Sequence, residues 1–163
     1  MRDKNSKSEW KDNMDNIPTQ ELDEKLRTLR TDDVAAFTEE NSRYLTQGDK
    51  AFSYYFKDTV KAKNMFFKDV YIRADMSESY GEKLISQTSH TKNRDKIIAL
   101  CLAGHFTLDE TNRALKLYKM TPLYSKVKRD IVLIVAINNR NYKLSDVDKE
   151  LIKQGFNPLS KDD

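Results

Sequence analysis

Residues 67–87 read Phe67-Lys68-Asp69-Val70-Tyr71-Ile72-Arg73-Ala74-Asp75-Met76-Ser77-Glu78-Ser79-Tyr80-Gly81-Glu82-Lys83-Leu84-Ile85-Ser86-Gln87, and the fold turns on this stretch. Val70 and Ile72 stand among Lys68, Asp69 and Arg73, which makes 67–75 a short amphipathic segment. It stops at Met76. Ser77 restarts the chain as an N-cap, since its hydroxyl can accept an N–H of the next turn. The second segment, 78–87, places Tyr80, Gly81 and Leu84 inward. Two short helices joined by a tight corner are predicted, with the polar side of the second open to solvent. Ser77, Ser79, Lys83 and Gln87 on that side can reach base edges in a major groove of duplex DNA. Thr88, His90, Lys92, Asn93 and Arg94, in the polar run that follows, suit phosphate contacts. A corner between two helices with a merely solvated face has the same pattern, so both readings stand. Glu78 and Glu82 weigh against the first, because carboxylates on a reading helix face the phosphate field.

Further helices are expected on either side. Upstream, 50–63 carries Phe52, Tyr55, Phe56, Thr59 and Val60 on one side. Downstream, 93–103 holds Ile97, Ile98, Leu100, Cys101 and Leu102 and ends at Gly104, a residue suited to positive φ at a helix terminus. Thr107 and Glu110 form a capping box that opens a helix reaching Met120. Ile131 to Ile137 is a continuous apolar run that in isolation resembles a buried strand. A lone strand would leave its backbone groups unpaired, so a helix buried on most sides is expected. Ser145 with Asp148 starts a last helix, and Gly155 stops it. Near the N-terminus, helices are expected over 20–30 and 32–45, after caps at Thr19 and Thr31, with Leu22, Leu26, Leu29 and Phe37 as their apolar positions. Residues 1–16 have almost nothing to bury besides Trp10 and Met14 and read as a disordered lead-in. Trp10 is either a docking anchor or an ordinary lone aromatic.

Composition narrows the class. The 163 residues include only 4 Gly and 3 Pro, too few turn residues for an all-β sandwich. No apolar stretch approaches the roughly 20 residues of a membrane span, so no membrane partner is expected. The single cysteine, Cys101, excludes an internal disulfide. With no export-like apolar core before Pro18, a reducing cytoplasm is the expected compartment. Residues 1–50 hold 9 Lys and Arg against 12 Asp and Glu, and the remainder 20 against 14. Arg113, Lys116, Lys119, Lys126, Lys128 and Arg129 follow one another without an intervening acid, a pattern that fits phosphates, an acidic protein or a solvated face. Gly-rich phosphate loops, His-Glu-x-x-His and nucleophile elbows are missing, so neither catalytic residues nor a cofactor is expected. Cys101 and His105 share the i, i+4 spacing of a metal pair, but Cys101 lies in an apolar stripe. It reads as a small hydrophobe, with His105 favoured by a helix C-terminus, and no metal site is expected.

The run Val70 to Gly81, then Asn93-Arg94-Asp95-Lys96 and Phe106 to Leu115, resembles the repressor-like helix-turn-helix domains of the XRE type found in bacteria. Pro122-Leu123-Tyr124, Arg129-Asp130 and the apolar run to Ile137 extend the likeness to a branch of small Firmicutes proteins. The resemblance spans about residues 50–159. It implies a repressor-like helix-turn-helix core over 50–121; with the helices read on either side, the expected fold is all-α, with an acidic helical extension over 17–49 and a C-terminal extension over 122–163 packed on the same core. The helix beginning near Ser77 would be the recognition element. The implied function is a non-catalytic DNA-binding regulator. The alternative is a protein-interaction adaptor on a helix-turn-helix scaffold that no longer binds DNA. For the adaptor, the acidic N-terminal helices could cover the groove-facing surface or bind a partner. Homodimerisation would suit half-site pairing, although no heptad repeat marks it.

Overall fold

The structure, a computed structural model, describes residues 19–41 and 50–160; the expected lead-in over 1–16, with Trp10, lies outside them. All regular structure is helical, with no strand among the described residues. The chain divides into two units, Met1–Gly48 and Asp49–Asp163.

In the first unit, α1 (Thr19–Leu26) is followed by a 3-10 turn (Thr31–Asp33) and α2 (Val34–Glu40). Arg30, rather than Thr31, is the residue before the 3-10 turn, and its N–H donates to Asp33 Oδ2 at 3.0 Å. None of the apolar side chains over 20–41 is buried. Helices this short gain little by themselves; at the end of α2, Asn41 Nδ2 donates to the Phe37 carbonyl at 2.8 Å.

The second unit holds α3 (Ala51–Ala62), α4 (Phe67–Arg73), α5 (Glu78–Ser86), α6 (Arg94–Ala103), α7 (Leu108–Leu117), α8 (Lys128–Asn138) and α9 (Leu144–Lys153). Every residue from Ile97 to Ala103 is buried, so α6 is apolar all round. It runs through the middle, against α4, α7 and α9, while α3 packs on α5 and α7. Burial of each large aliphatic side chain there contributes about 1.5–3 kcal/mol. Phe52, Phe56, Phe106 and Tyr118 fill the space between α3 and α7, with Phe52 and Tyr118 edge to face at 4.7 Å. The same core includes Leu133, Ile137, Leu151 and Leu159, so residues 122–159 are part of it.

Six of these helices end alike. One residue turns left-handed (Asn64, Asp75, His105, Lys119, Arg140 or Gly155), and the N–H after it reaches back five residues, as Met76 does to Tyr71 O and Phe106 to Cys101 O, both at 3.0 Å. Only one of the six is glycine. Gly104, expected in that role, has φ −82°, and His105 takes the conformation instead. Gly104 is needed for space: a Cβ there would lie 2.8 Å from the Phe106 ring.

Two further expectations are corrected. The run Ile131 to Ile137 is helical but is not buried on most sides: Leu133 and Ile137 are covered, whereas Ile131 is 42% and Val135 51% exposed. Among the described residues, α8 packs chiefly against α7 and α9. At α9, Lys143 precedes the helix without a side-chain cap. Asp148 does not help to start it, but accepts the Leu159 N–H at 2.7 Å and the Ser160 hydroxyl at 2.5 Å. Among the described residues, no helix is long and apolar enough to cross a membrane.

Candidate functional site

The corner between α4 and α5 consists of Ala74, left-handed Asp75, Met76 and Ser77. Ser77 caps α5, its Oγ accepting the Tyr80 N–H at 3.2 Å. Helix and helix approach closely because Gly81 lacks a Cβ; one placed there would be 2.3 Å from the Tyr71 ring. Burial, then the charges of Glu82 and Glu78, push the Tyr71 hydroxyl pKa up. The outward face of α5 therefore presents Glu78, Ser79, Glu82 and Lys83, all exposed. The α3–α4 and α6–α7 connections repeat the same backbone plan, with Asn64-Met65-Phe66 and His105-Phe106-Thr107. The corner by itself thus does not distinguish a DNA reader from a packing device.

Of the nine residues expected to touch DNA, Ser77 caps α5, and Ser79 and Lys83 lie on its exposed face. Gln87 takes the left-handed conformation that ends α5, and its Oε1 accepts the Ser53 N–H at 3.2 Å. Thr88 Oγ1 lies 3.2 Å from Ser86 Oγ. His90 is exposed but stacks on Tyr118, rings 4.7 Å apart and 7° from parallel. Lys92 is exposed. Asn93 caps α6, its Oδ1 accepting the Asp95 N–H at 3.0 Å.

Arg94 departs furthest from expectation. It donates through Nε to Thr121 O at 2.8 Å, through Nη2 to Pro122 O at 2.8 Å, and in a fork to both oxygens of Asp130 at 2.9 and 3.0 Å. Four of its five N–H donors are committed to the chain, which leaves a single one for the phosphate contact expected of it. Arg129 answers it in reverse, forking to Asp95 at 2.8 and 2.9 Å and also reaching Asn157 O. Two Arg-Asp dipeptides, at the first turns of α6 and α8, are cross-bonded. Burial raises the Asp130 pKa, but bonds from Arg94 and the Tyr124 N–H, with the charges of Arg94 and Arg129, outweigh it and hold the carboxyl below its ordinary value.

Tyr118 also draws the basic loop together, since its hydroxyl accepts the Thr91 N–H at 3.1 Å. Lys116 and Lys119 flank it in the chain and are exposed. Among the described residues, neither these nor Lys92 and Lys126 pair with a carboxylate. Arg113 and Arg129, by contrast, leave the solvated run: Arg113 lies over the Tyr55 ring at 5.1 Å, and Arg129 joins the crossed pairs.

A cavity of about 460 Å³ lies between Arg73, Asp75, His105, Tyr142, Lys143 and Asp148. These residues come from separate segments, and no spacing in the sequence groups them. His105 stacks on Tyr142 at 4.5 Å. Its pKa is lowered by partial burial and by Arg73 and Lys63, so the helix-end preference for a charged imidazole is overridden. Cys101 is fully buried and its thiol pKa is pushed up by burial, then by Glu110. Among the described residues, no group of three His, Cys, Asp or Glu could hold a metal ion. No protein-family model matches the chain, and neither a curated protein nor a solved structure does.

Proposed function

We propose that this chain is a non-catalytic protein-interaction adaptor built on a helix-turn-helix scaffold that no longer reads DNA. One observation carries the reading: α5 presents Glu78 and Glu82 outward, while Gln87, Thr88, Asn93 and Arg94 are bonded within the chain. A partner for α5 presents cations, because paired carboxylates there repel phosphate and attract Lys or Arg. The lone, buried Cys101 suits a reducing cytoplasm.

A second reading, a bacterial DNA-binding regulator, is supported by the exposed Lys92, Lys116 and Lys119, which lack carboxylate partners among the described residues. A mobility-shift titration with random duplex at low salt separates the two. The adaptor reading expects no shift with micromolar wild-type protein, and a salt-sensitive shift once Glu78→Lys and Glu82→Lys are combined. A wild-type shift would overturn it in favour of DNA. In that event, Lys92→Ala or Lys119→Ala should each lower the salt slope by about one.

A further inference from the structure

Helices α8 and α9 repeat the plan of α6 and α7. Each pair opens on an Arg-Asp dipeptide, and each arginine bonds to carbonyls just beyond its second helix, Arg94 to Thr121 and Pro122, Arg129 to Asn157. Asn112 on α7 accepts the Leu123 N–H at 2.8 Å, and Asp148 on α9, 36 positions later, accepts the Leu159 N–H at 2.7 Å. Left-handed Lys119 and Gly155 keep that interval. Between α6 and α8 the interval is 35, from Arg94 to Arg129 and from left-handed His105 to left-handed Arg140. A position in one pair therefore has a counterpart in the other.

A groove of about 700 Å³ between α8 and α9 is lined by Val132, Val135, Asn141, Asp146 and Gln154, among others. Their counterparts are Ile97, Leu100, Phe106, Glu110 and Tyr118, and there α3 fills the space. Its Phe52 meets Tyr118 with ring centres 4.7 Å apart, its Phe56 meets Phe106 at 4.8 Å, and Lys63 just after it pairs with Glu110 at 2.8 Å. α3 thus runs antiparallel to α7. Ile97 and Leu100 are fully buried, whereas Val135 is half exposed and, with Val127 and Ile131, forms an apolar ridge at four-residue spacing. The filled groove specifies what suits the open one: a helix with apolar or aromatic side chains at i and i+4, and a cation seven residues on to meet Asp146. Glu150 stands where the first pair has Ala114 and suits a second cation. Among the described residues, neither Asp146 nor Glu150 pairs with Lys or Arg. The chain's own α1 carries Glu21, Asp23 and Glu24 against Lys25, and α2 ends in Glu39-Glu40, so neither has the required charge. A second copy could supply α3 only by opening its own core, because Phe52 and Phe56 are fully buried.

We infer that the α8–α9 groove docks an amphipathic helix of another protein, seated antiparallel to α9 as α3 is to α7, with Lys or Arg presented to Asp146 and Glu150. This surface is independent of the α5 reading, and its test leaves that reading untouched. The probe is a fluorescent peptide of residues 50–64, the α3 sequence, titrated with the full chain and followed by anisotropy. Saturable binding with a Kd on the order of 100 μM is expected. Val135→Asp should weaken it by about tenfold or more, because a charge would be buried without a partner. Asp146→Lys in the chain, or Lys63→Glu in the peptide, should each weaken it by about fivefold. The two changes together, with the charges exchanged, should recover most of the lost affinity, an outcome that damage to the fold cannot produce. No anisotropy change up to about 1 mM chain would overturn the inference, as would binding that Val135→Asp leaves intact. A chain that dimerises at the same concentrations, and loses the dimer with Val135→Asp, would give the groove to a second copy and overturn it too. Exchanged charges that bind no tighter than either single change would overturn the antiparallel seating.

Discussion

Helices α6 and α8 are both short and apolar, yet their surroundings differ. In α6, seven successive residues from Ile97 to Ala103 are buried; in α8, Leu133 and Ile137 are covered while Ile131 and Val135 face solvent. The cause is position. α6 is packed by α4, α7 and α9, whereas α8 lies at the side of the unit against α7 and α9. Apolar composition fixes how much a helix gains by burial, and its neighbours decide whether the gain is realised. What holds α8 in register at its first turn is ionic: Asp130, 3% exposed, receives Arg94, and Arg129 returns to Asp95 on α6.

The contrast is tested first where the expected loss is largest. Leu100→Ala, at the centre of α6 and fully buried, should cost about 4 kcal/mol, the lost transfer energy plus a cavity that close packing cannot refill. Urea unfolding of the two proteins measures it through the midpoint at constant slope. A cost below about 1 kcal/mol would mean that α6 is not the centre of the core. Next, Asp130→Ala should cost about 3 kcal/mol, since it removes the acceptor of a largely buried pair and leaves Arg94 half satisfied. Asp95→Ala should cost only about 1 kcal/mol, because that pair is nearly a quarter exposed on both sides and is screened. Equal losses would contradict the different burial of the two pairs.

Acid is a smaller perturbation of the same contact. The folded-state pKa of Asp130 is depressed, so its contribution is fully present above the ordinary carboxylate value near 4. It is lost as pH falls through the lower folded value. Stability of the wild type should fall more steeply below about pH 4 than that of Asp130→Asn, which has no carboxylate to protonate. Parallel curves from urea midpoints would remove Asp130 from that role.

Local chemistry was legible in the sequence, and long-range chemistry was not. Ser77 and the Thr107–Glu110 box are recognisable because cap and partner lie three residues apart, and the structure has both. The corner of α4 and α5 follows from the same local signals. Helix ends were harder, because Asn64, Asp75, His105, Lys119 and Arg140 supply left-handed positions where glycine is the recognisable residue. Arg94 was read as a phosphate ligand because its acceptor, Asp130, is 36 residues away. The resemblance contains both Arg-Asp pairs, yet nothing in their spacing says that they cross. The exposed side of α8 was missed for a related reason. A run of seven apolar residues looks equally buried all round until the neighbours are placed.

That exposed side supplies the mildest of the predictions. Val135→Ser removes apolar surface that is already half in water, so little transfer energy is lost on folding. With nothing docked on that side, the variant should unfold within about 0.5 kcal/mol of the wild type. The same change on the partly buried side, at Leu133, would be felt as a core cavity with an unpartnered hydroxyl. The two serine variants thus divide a single helix into a face that holds the fold and a face that does not. If Val135→Ser instead destabilised the unbound chain as much as Leu133→Ser, α8 would be covered on both sides within one molecule. The surplus apolar ridge would then vanish as a surface for any partner.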